Sequence, residues 1–341
     1  MFDLRNQSPF IARLLPSLEP DGAEAVLAIV KGTFEIGARE DLALAEPQVP
    51  LTLADQYYGE PGKSSIRYAS DIVPEKRGTD VVLVGAAHVA RGEAVAVEVT
   101  LEAGPLRKRI AVIGDRRWQR SSARGVHASS PRPFSVMPLV YERAFGGQDH
   151  TSARRNEWAD EPRNPVGCGL VANPARRDLA EVPLPNLEDP ADPIADPTRR
   201  PIPTGLGFIA PSWKPRIDFA GTHDEAWRKD RFPLPPRDFD VRFYNSAPSD
   251  LVSPRYFAGG EPVTITNASR HGTLRFRVPA FQVDAVFFVD GQKIERPCNL
   301  DTVVIEPDQK RLMLTWRASA RCHRKMKFVS GARITSRVRG G

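Results

Sequence analysis

A long stretch without helix or strand periodicity, Tyr141–Pro248, constrains the fold more than any other feature of this chain. Long loops without regular structure are uncommon in compact domains and are usually functional or disordered. Disordered segments are poor in aromatic residues, whereas this stretch is rich in them. More than half of the chain's 32 prolines lie between Pro162 and Pro262, and proline reduces the entropy lost on ordering. The sequence therefore predicts an ordered but irregular insert over residues 139–250, packed on a regular scaffold.

Short motifs of aromatic, polar and glycine residues follow one another through this insert. They are Tyr141–Gly147 (YERAFGG), Asn164–Gly169 (NPVGCG), Leu184–Glu188 (LPNLE), Gly207–Trp213 (GFIAPSW), Gly221–Trp227 (GTHDEAW) and Leu234–Asp240 (LPPRDFD). Paired glycines, as in 145–147 and again in 257–260, permit positive φ angles or the close approach of two backbones. Tight turns and a docking surface can both use that property.

Period-2 alternation of apolar residues predicts β-strands on both sides of the insert. Before it, the pattern covers 26–36, 79–89, 95–102 and 106–113, with turn signals at 91–93 and 104–105. These last three segments predict an antiparallel meander. After the insert, the pattern recurs in 263–265, 274–278, 283–289, 300–305 and 312–316, with an Asp290-Gly291 turn.

Neither run of strands is long enough to close on itself, so we expect both to contribute to one core. The residues expected to face it are Val95, Val97, Val99, Leu101, Leu312, Leu314 and Trp316, because a one-residue slip would place them in water. Helix is scarce; Asp224–Asp230 can form about two turns, with Thr222 as a possible N-cap. The expected fold class is mainly β: an antiparallel β-sandwich or open barrel with a long irregular Pro-rich insert and little helix.

The composition describes an ordinary globular protein: 41% of its 341 residues are hydrophobic and 26% are charged. We expect one β-rich domain over residues 1–341. No apolar run reaches the length of a membrane-spanning helix. The first seven residues carry an acid where a signal peptide has basic residues. These features predict a cytoplasmic location and no membrane partner.

The charge of +6 is uneven, because no acidic residue follows Asp308. The segment 318–341 reads as a basic C-terminal tail, and its cations include Arg321, Arg324, Lys325, Lys327, Arg333, Arg337 and Arg339. A basic tail can bind nucleic acid or an acidic protein surface. It can equally be a solvated terminal arm.

Signals for an enzyme are weak. No phosphate-binding loop, dinucleotide fingerprint, nucleophile elbow or zinc-protease motif occurs. Asp238 and Asp240 lie on one face of an extended segment and can act as a glycosidase pair, but pairing with Arg237 or Arg242 explains them equally. His223 beside Asp224 can form an acid–base cluster or a metal corner, whereas helix capping accounts for the same residues.

The motifs of this chain resemble a bacterial family catalogued as domain of unknown function 2169, which is found beside type VI secretion genes. The resemblance spans nearly the whole chain. It is carried by Ser70–Pro74 with Lys76, Thr79-Asp80, Tyr141–Gly147, Asn164–Gly167, Leu184–Glu188, Gly221-Thr222 with Asp224–Trp227, Asp238–Asp240, Gly260-Glu261 and Leu300–Val303.

This resemblance implies a non-enzymatic adaptor or chaperone, with no catalytic residue and no cofactor. Such a protein stabilises a secreted toxic effector in the cytoplasm and helps to load it onto the secretion spike, the valine-glycine repeat protein. A β-sandwich enzyme acting on glycans and a weak nucleic-acid-binding accessory protein remain as alternatives, although nucleic acid is not the expected partner.

Aromatic and arginine side chains of the insert are the partner-binding candidates, because Trp, Tyr and Arg dominate the energetics of interfaces. They are Tyr141, Arg143, Phe145, Trp213, Arg216, Trp227 and Arg228. The alternative for the two tryptophans is that they fix the insert to the β core.

The three cysteines predict neither a metal site nor a disulfide. Cys168, Cys298 and Cys322 are widely spaced, and Cys322-His323 has no second ligand pair at zinc-site spacing. We expect the purified protein to contain no stoichiometric zinc by emission spectrometry and three titratable thiols after denaturation. A Cys168–Cys298 bridge or one equivalent of zinc would contradict this.

Overall fold

The computed structural model describes residues 2–37, 41–123, 125–322 and 326–339. Strands hold 43% of the residues and helices 9%, which confirms the mainly β fold class. The sheets are both antiparallel and mixed, so the pairing is less uniform than the alternation predicts.

Among the residues that the structure describes, twenty-seven strands form, and many in the insert have only two residues. They are β1 (Asp3–Asn6), β2 (Ile11–Leu18), β3 (Glu24–Ile36), β4 (Leu42–Leu44), β5 (Gln56–Tyr57), β6 (Ile66–Tyr68), β7 (Thr79–Leu83), β8 (Ala86–His88), β9 (Ala96–Ala103), β10 (Leu106–Ile113), β11 (Arg116–Ser121), β12 (Gly125–Ala128), β13 (Val136–Pro138), β14 (Phe145–Gly146), β15 (Gln148–Asp149), β16 (Ala159–Asp160), β17 (Cys168–Gly169), β18 (Pro183–Leu184), β19 (Leu187–Glu188), β20 (Val252–Ser253), β21 (Pro262–Thr266), β22 (Leu274–Arg277), β23 (Phe281–Val289), β24 (Gln292–Pro297), β25 (Asn299–Glu306), β26 (Arg311–Arg321) and β27 (Val329–Val338).

Within the described ranges, helical structure is limited to short pieces. The α-helix α1 covers Glu225–Asp230, and the 3-10 turns are Tyr141–Arg143, Arg155–Glu157, Leu179–Glu181, Arg216–Phe219, Val241–Tyr244, Ser249–Leu251, Pro307–Gln309 and Met326–Phe328. Asp224 is the N-cap of α1, and its carboxylate accepts from the Trp227 backbone N–H at 2.7 Å. The proposed Thr222 cap is therefore wrong. Thr222 instead donates its hydroxyl to Asp238 at 2.7 Å.

A seven-stranded sheet forms the centre of the molecule, with the order β2-β3-β26-β25-β7-β20 and β4 added beside β3. β3 is buried along almost its whole length, so it is covered on both faces. One face carries Val30 and Phe34 into the main core. The other carries Lys31, which is 5% exposed and ion-paired to Asp71 at 2.9 Å.

A four-stranded sheet, in the order β1-β27-β23-β24, packs on the first face of this central sheet. Aromatic rings join the two: Phe10 lies 5.1 Å from Trp316 and 5.0 Å from Phe281, between ring centroids. Rings this close add to the burial energy of the apolar surface itself. This is the main layer contact of the fold.

The C-terminal segment is part of this four-stranded sheet and is not a solvated arm over the residues described. β27 is an inner strand, paired with β1 on one side and β23 on the other. Ala332 and Ile334 are buried. Arg324 and Lys325 lie outside the described residues. The apolar alternation within 329–338 is weak, because Arg333 and Arg337 lie on the face of β27 opposite Ala332 and Ile334. For this reason the alternation did not predict the strand.

A five-stranded sheet, in the order β19-β10-β9-β21-β22, completes the larger sheets. The predicted β9–β10 hairpin is present, and β21 and β22 also pair antiparallel. The predicted meander is wrong, because 79–89 is divided into β7 and β8, and neither pairs with β9. Five of the seven residues expected in the core are buried there: Val99, Leu101, Leu312, Leu314 and Trp316. Val97 is only partly buried, and Val95 is 49% exposed because it precedes β9.

The insert is fastened to the central sheet through Asp80 of β7. This fully buried carboxylate accepts from Lys76 Nζ at 2.7 Å, from Asn245 Nδ2 at 2.8 Å and from the Ser246 backbone N–H at 2.8 Å. Lys76 also donates to Thr302 Oγ1 in the neighbouring strand β25, at 2.9 Å. Burial opposes ionisation of Asp80, but the Lys76 charge and these donors outweigh it and lower its pKa.

The paired glycines of the insert serve a close backbone approach. A side chain on Gly146, whose φ is 152°, would meet the carbonyl oxygen of Asn164 at 2.1 Å. Gly147, at φ 93°, would similarly meet the Gly167 carbonyl oxygen at 2.5 Å. Asn164 is buried and donates to the Tyr141 and Phe145 carbonyls. The motifs at 141–147 and 164–169 are thus two sides of one interlocked turn.

We predict that Asp80→Ala destabilises the fold by about 3–5 kcal/mol, because it leaves the Lys76 ammonium buried without a counter-charge. Asp240→Ala, which removes a carboxylate paired with Arg242 near the surface, is the matched control and should cost less than about 1 kcal/mol. Urea denaturation followed by tryptophan fluorescence measures both. Similar losses in the two variants would contradict the role of Asp80.

The lowered pKa of Asp80 also sets a pH dependence. A carboxyl whose pKa is lower in the folded protein contributes stability above its unfolded pKa of 3.8, and that stability is lost as the pH falls below this value. The Asp80→Ala variant should therefore show a shallower fall in stability between pH 4 and pH 2 than the parent chain.

Candidate functional site

A groove of about 660 Å³ lies on the insert, within the range of ligand-binding clefts. Its walls come from two parts of the insert, 202–219 and 242–250, and from residues that follow it, 252 and 254. Arg77, Lys108, Tyr141, Arg163 and Asp189 complete the lining. We call this the insert groove. Asn245, which the Asp80 carboxylate holds, is one of its lining residues.

Basic side chains dominate the charge of the insert groove. Six of them face only two acidic residues, Asp189 and Asp250. The six are Arg77, Lys108, Arg163, Lys214, Arg216 and Arg242. The potential inside the groove is therefore positive.

Three of these six cations are matched by carboxylates of the chain itself. Lys108 binds Asp250 at 2.8 Å. Arg163 forms a fork with both carboxylate oxygens of the buried Glu161, at 2.6 Å each. Arg242 binds Asp240 at 2.6 Å and lies over the Phe219 ring at 4.2 Å. These pairs fix the walls and leave little of the three charges for a ligand.

Arg216 is different, because its hydrogen-bond acceptors are neutral. The side chain is 8% exposed, and it donates to the backbone carbonyls of Phe243 and Ile209 at 2.8 Å each. Burial lowers the pKa of Arg216, and the more distant charges of Asp55 and Asp80 oppose that effect. Among the residues described, Arg216 forms no ion pair within 4 Å. It contributes a fixed, poorly compensated positive charge to the wall.

Arg77 and Lys214 are exposed cations at the same groove. Lys214 approaches Asp218 only at 3.5 Å, and both side chains are about half exposed. Arg77 forms no ion pair within the described part of the chain, although Glu75 and Asp240 act on it at longer range. Surface pairs of this kind contribute little energy and exchange partners easily.

Apolar surface accompanies these charges. Ile202 is 73% exposed on the lining, and Ile209, Phe219 and Val252 are partly buried there. Tyr141 also lines the groove but is only 3% exposed, and its ring packs edge-on against Trp213 at 5.5 Å. A mixture of apolar contact area and directed charges is typical of protein interfaces.

The partner-binding candidates from the sequence separate into different environments. Tyr141 and Arg216 line the insert groove. Trp213, 4% exposed, and Phe145, 3% exposed, are as buried as Tyr141, but neither lines the groove. Trp213 instead fixes the insert to the main core. Arg143 is half-exposed outside the groove lining and donates to Asn186 Oδ1 at 2.9 Å.

Trp227 and Arg228 belong to α1 and do not line the insert groove. The Trp227 indole is partly buried and donates to the Leu234 carbonyl at 2.8 Å, while its ring packs against Phe232 at 5.7 Å. Arg228 is exposed. A turn after the helix contacts the β2–β3 connection, where Arg231 donates to the Pro20 carbonyl. Trp227 therefore stabilises this local fold.

The candidate catalytic groups are used for local structure. Asp238 accepts from the backbone N–H and hydroxyl of Thr222, which lower its pKa. Hydrogen bonds from Arg242 lower the pKa of Asp240. A glycosidase needs one carboxyl with a raised pKa as its acid, so this pair does not suit that chemistry. His223 packs edge-on against Trp227 at 4.5 Å.

The cysteines are free within the described ranges, and burial raises the pKa of Cys168 to about 11 and of Cys298 to about 12. Both are therefore unreactive thiols near neutral pH. Over the same ranges, no cluster of His, Cys, Asp and Glu is arranged to bind a metal ion. No helix that the structure describes has the length and apolarity to span a membrane.

The sequence did not indicate most of the groove residues. Arg77, Lys108, Arg163, Lys214 and Arg242 come from separate segments of the chain, and only the fold brings them together. Hydrophobic periodicity also does not predict that Ile202, which lies between Pro201 and Pro203, is exposed. The one available signal was the density of arginine and aromatic residues between 141 and 248.

The fold and the groove together define a mainly β protein whose irregular insert carries a groove lined by six cations. The chain belongs to a family described as uncharacterised proteins conserved in bacteria, DUF2169, whose model matches residues 21–317. No curated protein and no solved structure matches the chain.

We predict that Trp213→Ala costs about 3–5 kcal/mol of stability, because it empties a buried site between the insert and the core. Trp227→Ala, at a partly buried site on a local helix, should cost about 1–2 kcal/mol. Chemical denaturation of the two variants, monitored by far-UV circular dichroism, gives the comparison. An equal or larger loss in Trp227→Ala would contradict the assignment of Trp213 as the residue that fixes the insert.

Proposed function

We propose that this chain is a non-enzymatic adaptor of a type VI secretion system. It binds a secreted effector in the cytoplasm and helps to load it onto the valine-glycine repeat spike protein. The proposal starts from membership of the DUF2169 family, because the resemblance to that family implies an adaptor role. The alternative of a glycan-processing enzyme receives no support from Asp238 and Asp240, whose carboxyls are held by Thr222 and Arg242.

The observation that carries the proposal is the insert groove itself. Its lining combines an exposed isoleucine with cations that have weak internal partners, and it lies on a segment anchored by buried hydrogen bonds. A preformed surface avoids the ordering cost that a flexible loop would incur on binding. An adaptor that must hold one partner against unfolding and then deliver it benefits from such a rigid surface.

The proposal is tested by replacing an apolar contact on the groove. Ile202→Asp introduces a charge at a site that is 73% exposed, and Val338→Asp is the matched control, because Val338 is 69% exposed and does not line the groove. Neither change removes buried contacts, so both variants should keep the thermal midpoint of the parent within about 2 °C.

Tagged chains expressed in the native host are purified after mild cross-linking, and co-purifying proteins are identified by mass spectrometry. We expect a protein encoded beside a spike gene to be recovered with the parent chain. Ile202→Asp should reduce the recovery of this partner by an amount that corresponds to a loss of about 2 kcal/mol in binding free energy. Val338→Asp should leave the recovery of the partner unchanged. No such partner with the parent chain, or equal losses with both variants, would overturn the proposal.

A further inference from the structure

The charges of the insert groove are incompletely matched, and the mismatch points to the chemistry of its occupant. Three of the six cations are paired by Asp250, Glu161 and Asp240. Arg77, Lys214 and Arg216 remain with distant or weak counter-charges. A positively charged cleft with low-dielectric walls attracts anionic groups more strongly than an open surface does.

Arg216 is the central element of this mismatch. Its guanidinium is positioned by two backbone carbonyls and by the Phe243 ring, over which it lies at 5.4 Å. Moving an arginine out of water is costly unless a charge or several acceptors compensate it. A carboxylate from outside the chain would supply the missing compensation and would form a charge-assisted hydrogen bond in a partly dry site.

The apolar lining restricts what can carry that carboxylate. Ile202 is exposed beside the cations, and Ile209, Phe219 and Val252 form part of the same surface. A free inorganic anion would leave this apolar area uncovered. A nucleic acid carries a phosphate at every nucleotide, and it has no aliphatic side chains to alternate with those charges and cover Ile202. A peptide that alternates acidic and apolar side chains satisfies both parts of the lining.

We propose that the insert groove binds an extended acidic segment of the partner protein, in which carboxylates contact Arg216, Arg77 and Lys214 and apolar side chains cover Ile202. This proposal rests on the proposed adaptor function, because it identifies the partner surface that the same groove recognises. The segment is Asp- or Glu-rich and lies outside the partner's folded core or at its edge.

The test uses the purified full chain and fluorescein-labelled peptides of equal length. One peptide alternates Glu and Leu, a second alternates Lys and Leu, and a single-stranded DNA oligonucleotide is the third probe. Binding is measured by fluorescence anisotropy at two salt concentrations. We expect the Glu/Leu peptide to bind more tightly than the other two probes, and more weakly at high salt, since screening weakens charge pairs.

Variants that reverse the charge of groove cations test whether the Glu/Leu peptide binds in the insert groove. The double variant Arg77→Glu with Lys214→Glu changes two exposed groove cations, and Arg275→Glu with Lys293→Glu makes the same change in net charge at exposed sites outside the groove. The groove variant should bind the Glu/Leu peptide at least about tenfold more weakly. The control should stay within about twofold of the parent. Arg77→Gln with Lys214→Gln, which removes charge without reversing it, should give an intermediate loss at unchanged thermal midpoint.

Three results would overturn the inference: equal losses in the groove and control variants, no binding of the Glu/Leu peptide, or equal affinity for the DNA or the Lys/Leu peptide. The proposed adaptor function and the acidic-segment inference can be contradicted by different results. If an effector co-purifies from the host and the groove double variant retains it fully, the acidic-segment inference is wrong while the function stands. If no effector co-purifies, the function is wrong, and the peptide affinities alone decide the chemistry of the groove.

Discussion

The Lys76–Asp80 ion pair is the interaction on which the arrangement of this molecule depends. It lies at the meeting point of the central sheet, through Asp80 in β7 and Thr302 in β25, and the end of the insert, through Ser246. Buried ion pairs add little net stability but are costly to break, and this makes them effective at fixing one arrangement. The family motifs Thr79-Asp80 and Leu300–Val303 meet here, so they are explained by the need to seat an irregular segment on a regular sheet.

A second set of buried charges covers the far face of β3. Lys31 binds Asp71, which lies outside the sheet, and Arg317 donates to the Asp71 carbonyl and binds Asp301 of the neighbouring strand β25. The face of the central sheet that carries Lys31 therefore combines these ion pairs with buried apolar residues, among them Leu27 and Ile29, whereas the opposite face packs against the four-stranded sheet.

Local alternation was sufficient to predict the mainly β class, the β9–β10 hairpin and the core positions of Val99 and Trp316. It failed where pairing partners are distant in sequence. The β7–β25 pairing joins segments on opposite sides of the insert, and no local pattern encodes such a choice. At the candidate site, the sequence indicated the insert and two lining residues, Tyr141 and Arg216. It also selected Trp213, because composition does not distinguish a buried tryptophan from an exposed one.

The position of β27 has a consequence for biosynthesis. This strand, residues 329–338, separates β1 at the start of the described chain from β23. During translation, the first strand therefore has no partner in its sheet until nearly all the residues described here have left the ribosome. Phe281 and Phe287, which meet the core through β23, lack a complete sheet around them for the same interval. Nascent chains with unpaired strand edges are prone to aggregate. The topology therefore delays completion of this sheet until β27 has been synthesised.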